Sequence, residues 1–275
     1  MIRLGTILVP AWNEEAVIGR TLGRLDAQSV TRFFHVVVIA NACSDNTADR
    51  ARSAMPAAQV IETPVPGKTY ALNLGHAHAL PGLPVICLDA DLTTGLADLI
   101  ALTAPLRDGR AMAACGTMHV DTFGATAPVR AWYRAWALNP YFAQGKFGGL
   151  FALSAAAADR LFPLPSVTAD DEYLRRAFTP DQIAFVPGCR FTARAPRDLP
   201  SLLRVRQRSL RGSRALAQPS GHGGARGMLR TAALRPARWA DMAVFMAVQL
   251  TVRLRLALQS ATPRWERDLT TRTEA

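Results

Sequence analysis

At 275 residues the chain can bury a full core, and with 49% hydrophobic residues and no long low-complexity tract it is not a disordered polymer. Its formal charge of +11 favours an anionic partner, whether a nucleotide diphosphate, a nucleic acid or an acidic membrane surface, or else reflects arginine-rich genomic composition, since Lys68 and Lys146 are the only lysines. Cys43, Cys87, Cys115 and Cys189 form no CxxC pair and no zinc spacing, and the start of the chain lacks secretory-signal features, so a reducing, cytoplasmic location is expected.

In chain order the first half alternates short apolar runs with helical patterns. Strands are expected at 6–9, 35–40, 59–62 and 85–88, and helices at 14–27, 45–54 and 67–79. This alternation predicts an α/β fold with a mostly parallel sheet flanked by helices, whose ligands bind beyond the carboxyl ends of the strands. A helix and a strand follow over 96–116, then a helix over 127–138 carrying Trp132, Tyr133 and Trp136, a glycine-rich turn entering a strand over 145–153, a helix over 170–178 and a strand at 183–186. After Pro200 come a basic helix over 201–216, a glycine-dense loop at 218–227 and a long apolar helix over 239–259. We expect a catalytic domain over 1–217, with a nucleotide half to about residue 95 and an acceptor half beyond it, and a loop and amphipathic helical tail over 218–275. The last helix has only eleven residues from Met242 to Val252 before Arg253, too few for the roughly 18–20 needed to span a bilayer. It either packs on the protein or a second copy, or lies on a membrane surface.

The polar residues gather at strand ends. VPAWNEE places Pro10, Asn13, Glu14 and Glu15 between the first strand and its helix, where Asn13 is either a helix cap or a ligand contact. IANACSDNTAD crowds Asn41, Ser44, Asp45 and Asn46 after the second strand, more polar groups than a cap requires and enough to hydrogen-bond a base and a ribose. In VPGKTYALNLG, Gly67 and Lys68 open a helix, offering backbone N–H groups and an ammonium to a diphosphate. VICLDADLTT ends a strand in Asp89, Ala90 and Asp91, and strand alternation would turn both carboxylates the same way, toward a divalent cation or the ribose. Asp170, Asp171 and Glu172 open a helix, either complementing its dipole or supplying a carboxylate base. Arg204, Arg208 and Arg211 share a face of the basic helix, suited to phosphate oxygens or simply solvated.

Taken in order, VPAWNEE, NACSDNT, GKTYALNLG, LDAD, GGLFALS and ADDEYLRRAF resemble the successive motifs of the family 2 glycosyltransferases over roughly residues 4–212. The resemblance implies a GT-A fold and an inverting transfer of sugar from a nucleotide-sugar donor, a UDP-sugar first, to a carbohydrate or lipid-linked hydroxyl acceptor. It implies that Pro10, Asn13, Glu15 and Asp45, with Asn41 beside them, contact nucleobase and ribose, that Lys68 contacts the diphosphate, and that Asp89 and Asp91 hold ribose and metal-diphosphate, with Mg2+ or Mn2+ as cofactor. Arg208 and Arg211 join the nucleotide-sugar contacts, Gly148 and Gly149 border the acceptor site, and Asp171 is the base, with Asp170 selected by a one-residue shift. The processive members carry Gln-x-x-Arg-Trp, whereas Gln207, Arg208 and Arg211 are followed here by Gly212, implying a nonprocessive enzyme. A sugar-nucleotidyltransferase or nicotinamide dehydrogenase would need a glycine-rich phosphate loop after the first strand, where WNEE stands. The alternative from another class is a non-catalytic nucleotide-binding or membrane-associated scaffold; specific nucleic-acid binding is not expected.

Overall fold

The structure is a computed structural model that describes residues 2–139, 147–216, 228, 230–231 and 235–258. Its strands are β1 (Gly5–Ala11), β2 (Phe34–Asn41), β3 (Gln59–Thr63), β4 (Val85–Leu88), β5 (Ala113–Asp121), β6 (Leu150–Leu153) and β7 (Ile183–Arg194). Its helices are α1 (Glu15–Asp26), α2 (Thr47–Ala54), α3 (Lys68–His76), α4 (Leu96–Arg107), α5 (Ala127–Trp136), α6 (Ala155–Leu161), α7 (Asp170–Arg176), α8 (Leu199–Ala215) and α9 (Trp239–Leu258). The expected loop at 218–227 and the tail beyond 258 lie outside the described residues.

The strands form one seven-stranded sheet in the order β3-β2-β1-β4-β6-β5-β7. The pairs β1–β2, β2–β3 and β1–β4 are parallel, while β6 runs antiparallel to β4 and β5. β1 and β2 are continuous apolar runs because helices cover both their faces. Along β1, Ile7 and Val9 enter one core with Ile18, Leu22 and Leu102, whereas Leu8 enters the other with Ile39, Leu72 and Phe151. The chain leaves β1 for β2 on one side and returns to β4 on the other, so a topological switch point lies between β1 and β4. At such a point the strand-end loops diverge and leave room for a ligand.

Several expectations are corrected. Pro10 lies inside β1, not after it, opposite Ile39 of β2 and past the last β1–β4 partner pair, Leu8 with Cys87, so its missing N–H falls where the pairing with β4 has ended. β7 runs to Arg194, past its expected end at residue 186, because an edge strand tolerates Pro187 and Gly188. β4 ends at Leu88, so Asp89 and Asp91 lie in a turn and strand alternation does not govern them. Helix α6 was not expected from its alanine run; Ser154 caps it by accepting from Ala157 N at 3.2 Å.

Among the described residues the chain forms two compact units, one of 2–119 with 147–193, the other of 120–139 with 194–258. Helix α8, expected with the catalytic domain, thus groups with α5 and α9. Trp132, Val129, Leu202, Leu203, Met242, Phe245 and Val248 form a core of their own there. Trp132 stacks on Trp136 and Phe245 at ring distances of 5.6 and 5.4 Å.

Candidate active site

The loops after β1 and β2 are tied to each other before any ligand arrives. Asn13, at φ 51°, does not cap α1; its Oδ1 accepts from Ser44 N at 2.7 Å and its Nδ2 donates to Ser44 Oγ at 3.1 Å. Asp45 accepts from Glu15 N at 3.2 Å and from Thr47 N at 3.1 Å, so one carboxylate sits at the starts of both α1 and α2, where helix dipoles favour it. Glu15 accepts from Asn46 N and Nδ2 at 3.2 and 3.1 Å, the reciprocal tie. Buried Thr47 completes the group: its Oγ1 accepts from Glu14 N at 2.7 Å and donates to Asp45 Oδ1. Ala42, also left-handed at φ 50°, accepts from Trp12 Nε1 at 3.1 Å. A non-glycine residue there is strained and is held by its surroundings.

Asn41, expected to meet the nucleotide, is buried, and its Nδ2 donates to Gly67 O at 2.9 Å. It braces the start of α3, where Gly67 at φ 130° adopts a conformation that a side chain would strain. Lys68 follows immediately. Its Nζ lies 2.7 Å from Asp89 Oδ1 and 3.0 Å from Asp170 Oδ2, joining the ends of three elements. Burial alone would lower the Lys68 pKa, but Asp170, Asp89 and Asp171 raise it well above its ordinary value.

Helix α7 separates its three acids. Asp170 is buried, and burial pushes its carboxyl up to about 6, with Lys68 opposing and Asp171 and Asp89 adding to the rise. Glu172 is clamped by Arg175 and Arg176 at 3.0 and 2.7 Å, and although burial would raise its pKa, these guanidiniums lower it. Asp171 is half-exposed, with Oδ1 accepting from Glu172 N at 2.8 Å. Of the three it is the one with no ion pair among the described residues.

Gly149 packs against Asp89: Asp89 N donates to Gly149 O at 2.8 Å, and a Cβ on Gly149, at φ 86°, would stand 2.6 Å from Asp89 Oδ2. Gly148, half-buried, precedes it. Sequence reasoning missed a recess of about 240 Å³ beside these loops, lined by Ala40, Ala42, Cys43, Glu62, Thr63 and Pro64. Its only sequence signal was polar Glu62 and Thr63 ending β3. Arg208 and Arg211 belong to α8 in the second unit, both half-exposed.

Among the described residues no three His, Cys, Asp or Glu side chains form a ready-made metal cage. Asp89, with Asp91 half-exposed in the same turn, offers hard oxygen donors instead. Two carboxylates completed by phosphate oxygens are the donor set that Mg2+ or Mn2+ accepts, so these residues fit a divalent cation shared with a diphosphate.

Comparison with known proteins agrees with this architecture. The sequence model of Glycosyl transferase family 2 matches residues 6–155, just over half of the chain, and the protein belongs to that family. No curated protein sequence matches significantly. Among solved structures, glucosyl-3-phosphoglycerate synthase from Mycobacterium tuberculosis, in complex with phosphoglyceric acid, is similar at 23% identity and a TM-score of 0.55, over 80% of this chain and 82% of that one. A mannosyltransferase from Pyrobaculum calidifontis, in complex with GDP-Man and Mn2+, is similar at 22% identity and a TM-score of 0.58, over 94% and 76%. The fold is therefore that of the GT-A glycosyltransferases, a mixed, mostly parallel sheet flanked by helices.

Proposed function

We propose that this chain is an inverting, nonprocessive glycosyltransferase that moves one sugar from a nucleotide-sugar, a UDP-sugar first, to a hydroxyl of a lipid-linked or cell-envelope glycan. The observation that carries the reading is the junction at Lys68, where an ammonium at a helix start meets Asp89 from the β4 turn and Asp170 from α7. The nucleoside would lie along Asn13, Glu15 and Asp45 with its base toward the recess at Glu62 and Thr63, and the diphosphate would reach Lys68 and the start of α3. Asp89 and Asp91 would hold Mg2+ or Mn2+, which supplies charge neutralisation of the departing diphosphate; the related mannosyltransferase binds Mn2+ with its nucleotide-sugar.

Asp171 takes the proton of the acceptor hydroxyl as its oxygen bonds to the anomeric carbon and the bond from that carbon to the diphosphate breaks, inverting the configuration. Asp170, through its ion pair, keeps Lys68 in place on this reading. Arg208 and Arg211 are proposed as further phosphate contacts.

The test is nucleotide binding by calorimetry with UDP-, GDP- and dTDP-sugars, with and without Mn2+ or Mg2+, alongside nucleoside diphosphate release. Metal-dependent binding that Asp91→Asn abolishes, and turnover that Asp171→Asn lowers about 100- to 10,000-fold while donor affinity stays, is the expected result. If Asp170→Asn alone gives that loss, the base is Asp170. Absence of binding under every condition would leave a non-catalytic scaffold.

A further inference from the structure

Helix α9 is apolar on two opposite faces, one buried and the other exposed. Met242, Phe245, Val248 and Val252 are buried in the core of the second unit, and Asp241 is buried beside them, 2.5 Å from Arg134 and 3.1 Å from Arg238. The other face exposes Trp239 at 61%, Met246 at 52%, Leu250 at 60%, Leu254 at 53% and Leu258 at 85%. Ala240, Ala243 and Ala247 are exposed between them, so from Trp239 to Leu250 this face carries no polar side chain. This stretch of 12 residues is about 18 Å long. An uninterrupted apolar strip of this size on a folded protein marks a contact surface.

Its charges say what it contacts. Arg253 and Arg255 are exposed at one end, and Arg230 and Arg235 are exposed just before the other. Asp241 is the only acid between residues 228 and 258, and its two guanidinium partners already engage it. A second copy seated on this face would bring arginine against arginine in either orientation, with no unengaged carboxylate between residues 228 and 258 to relieve the repulsion. An acidic lipid surface instead offers hydrocarbon to the strip and phosphate to the arginines, and Trp239 suits the boundary between the two. No described helix is long and apolar enough to cross a membrane, so α9 would lie in the plane of the interface.

We propose that the outer face of α9 docks this protein onto an anionic bilayer, with Trp239, Met246, Leu250 and Leu254 in the acyl boundary and Arg253 and Arg255 on lipid phosphates. Docking is independent of sugar transfer, and the test contains no nucleotide. The full chain is floated with vesicles of phosphatidylcholine alone and of phosphatidylcholine mixed with phosphatidylglycerol, at low and moderate salt. It should float with the mixed vesicles and more weakly with the neutral ones, and salt should reduce but not abolish recovery. Leu250→Glu/Leu254→Glu, at two exposed positions that leave thermal unfolding unchanged, should weaken binding at least about tenfold. Arg253→Ser/Arg255→Ser should lose about ten- to thirtyfold on the mixed vesicles and little on the neutral ones. Failure of the wild-type chain to float would overturn the proposal. So would undiminished binding by the double-glutamate variant, which would place the membrane contact elsewhere on the molecule. A dimer in gel filtration that the double-glutamate variant splits would reassign the face to a second copy.

Discussion

Two regions of the first unit meet at the switch point, and they hold their side chains by different means. The loops after β1 and β2 are built from hydrogen bonds that mostly end on backbone N–H groups, so Asn13, Asp45 and Glu15 are oriented without a buried cation. The junction at Lys68 is built from charge, with Asp170 buried and a single ammonium serving two carboxylates. The first arrangement is held by its own hydrogen bonds. The second is a balance of charges, which a diphosphate and a divalent cation would redistribute, because each brings charge of its own to the same few ångströms.

The largest effect should come from breaking the charged junction. Lys68→Met leaves Asp170 buried against Asp89 and Asp171 with no cation, at a cost of about 2–4 kcal/mol, below the usual figure for a buried pair because Lys68 and Asp89 are 28% and 35% exposed. The loss should depend on pH in a definite direction. Asp170, raised to about 6, binds its proton more tightly folded than unfolded, so its contribution is fully present below the ordinary carboxylate range and is lost as pH rises through about 6. Without Lys68 that loss deepens. Urea unfolding should therefore show a larger penalty for Lys68→Met near pH 8 than near pH 4; equal penalties would mean that Lys68 acts through packing and not through charge.

A milder break reaches the same junction from its other side. Gly149→Ala would set a methyl 2.6 Å from Asp89 Oδ2 and force a left-handed backbone on alanine. We expect a destabilisation of about 1–2 kcal/mol together with a displaced Asp89. Nucleoside diphosphate affinity should fall in the presence of Mn2+ and much less in its absence. Equal losses under both conditions would place the damage in the backbone alone.

This contrast between regions also explains how much was legible from sequence. Charged and apolar identities are local properties, so the β1, β2 and β4 runs and the positions of Lys68, Asp89 and Asp170 could be found by reading along the chain. Pairings are not local. Nothing near Asn41 shows that its amide donates to Gly67 O, 26 positions away. Asn13 looked like a cap because caps are defined by neighbours in sequence, whereas its partner is Ser44. Helix α8 was expected within 1–217 by its place along the chain, and what the sequence does not show is that Leu202 and Leu203 enter a core with Trp132 and Phe245. Even Arg206, on the same helix, lies 5.2 Å from the Trp132 ring with its Nε buried and unbonded, a contact that no periodicity predicts.

The smallest expected effect tests the hydrogen-bonded loops. Thr47 was part of the NACSDNT motif but was assigned no role, and it now stands at the centre of the two loops, fully buried, between Glu14 N and Asp45. Thr47→Val keeps the shape and removes both hydrogen bonds, leaving Glu14 N unsatisfied and Asp45 held by two backbone N–H groups in place of three donors. The cost of one such bond, about 1–1.5 kcal/mol, would appear as a five- to tenfold weaker nucleoside diphosphate affinity. Thr47→Ser, which retains the hydroxyl, should recover most of it, and kcat at saturating donor should stay near wild type because Thr47 touches neither α7 nor Lys68. If valine weakens affinity and serine does not restore it, packing of the threonine methyl and not orientation of Asp45 is what the loops require.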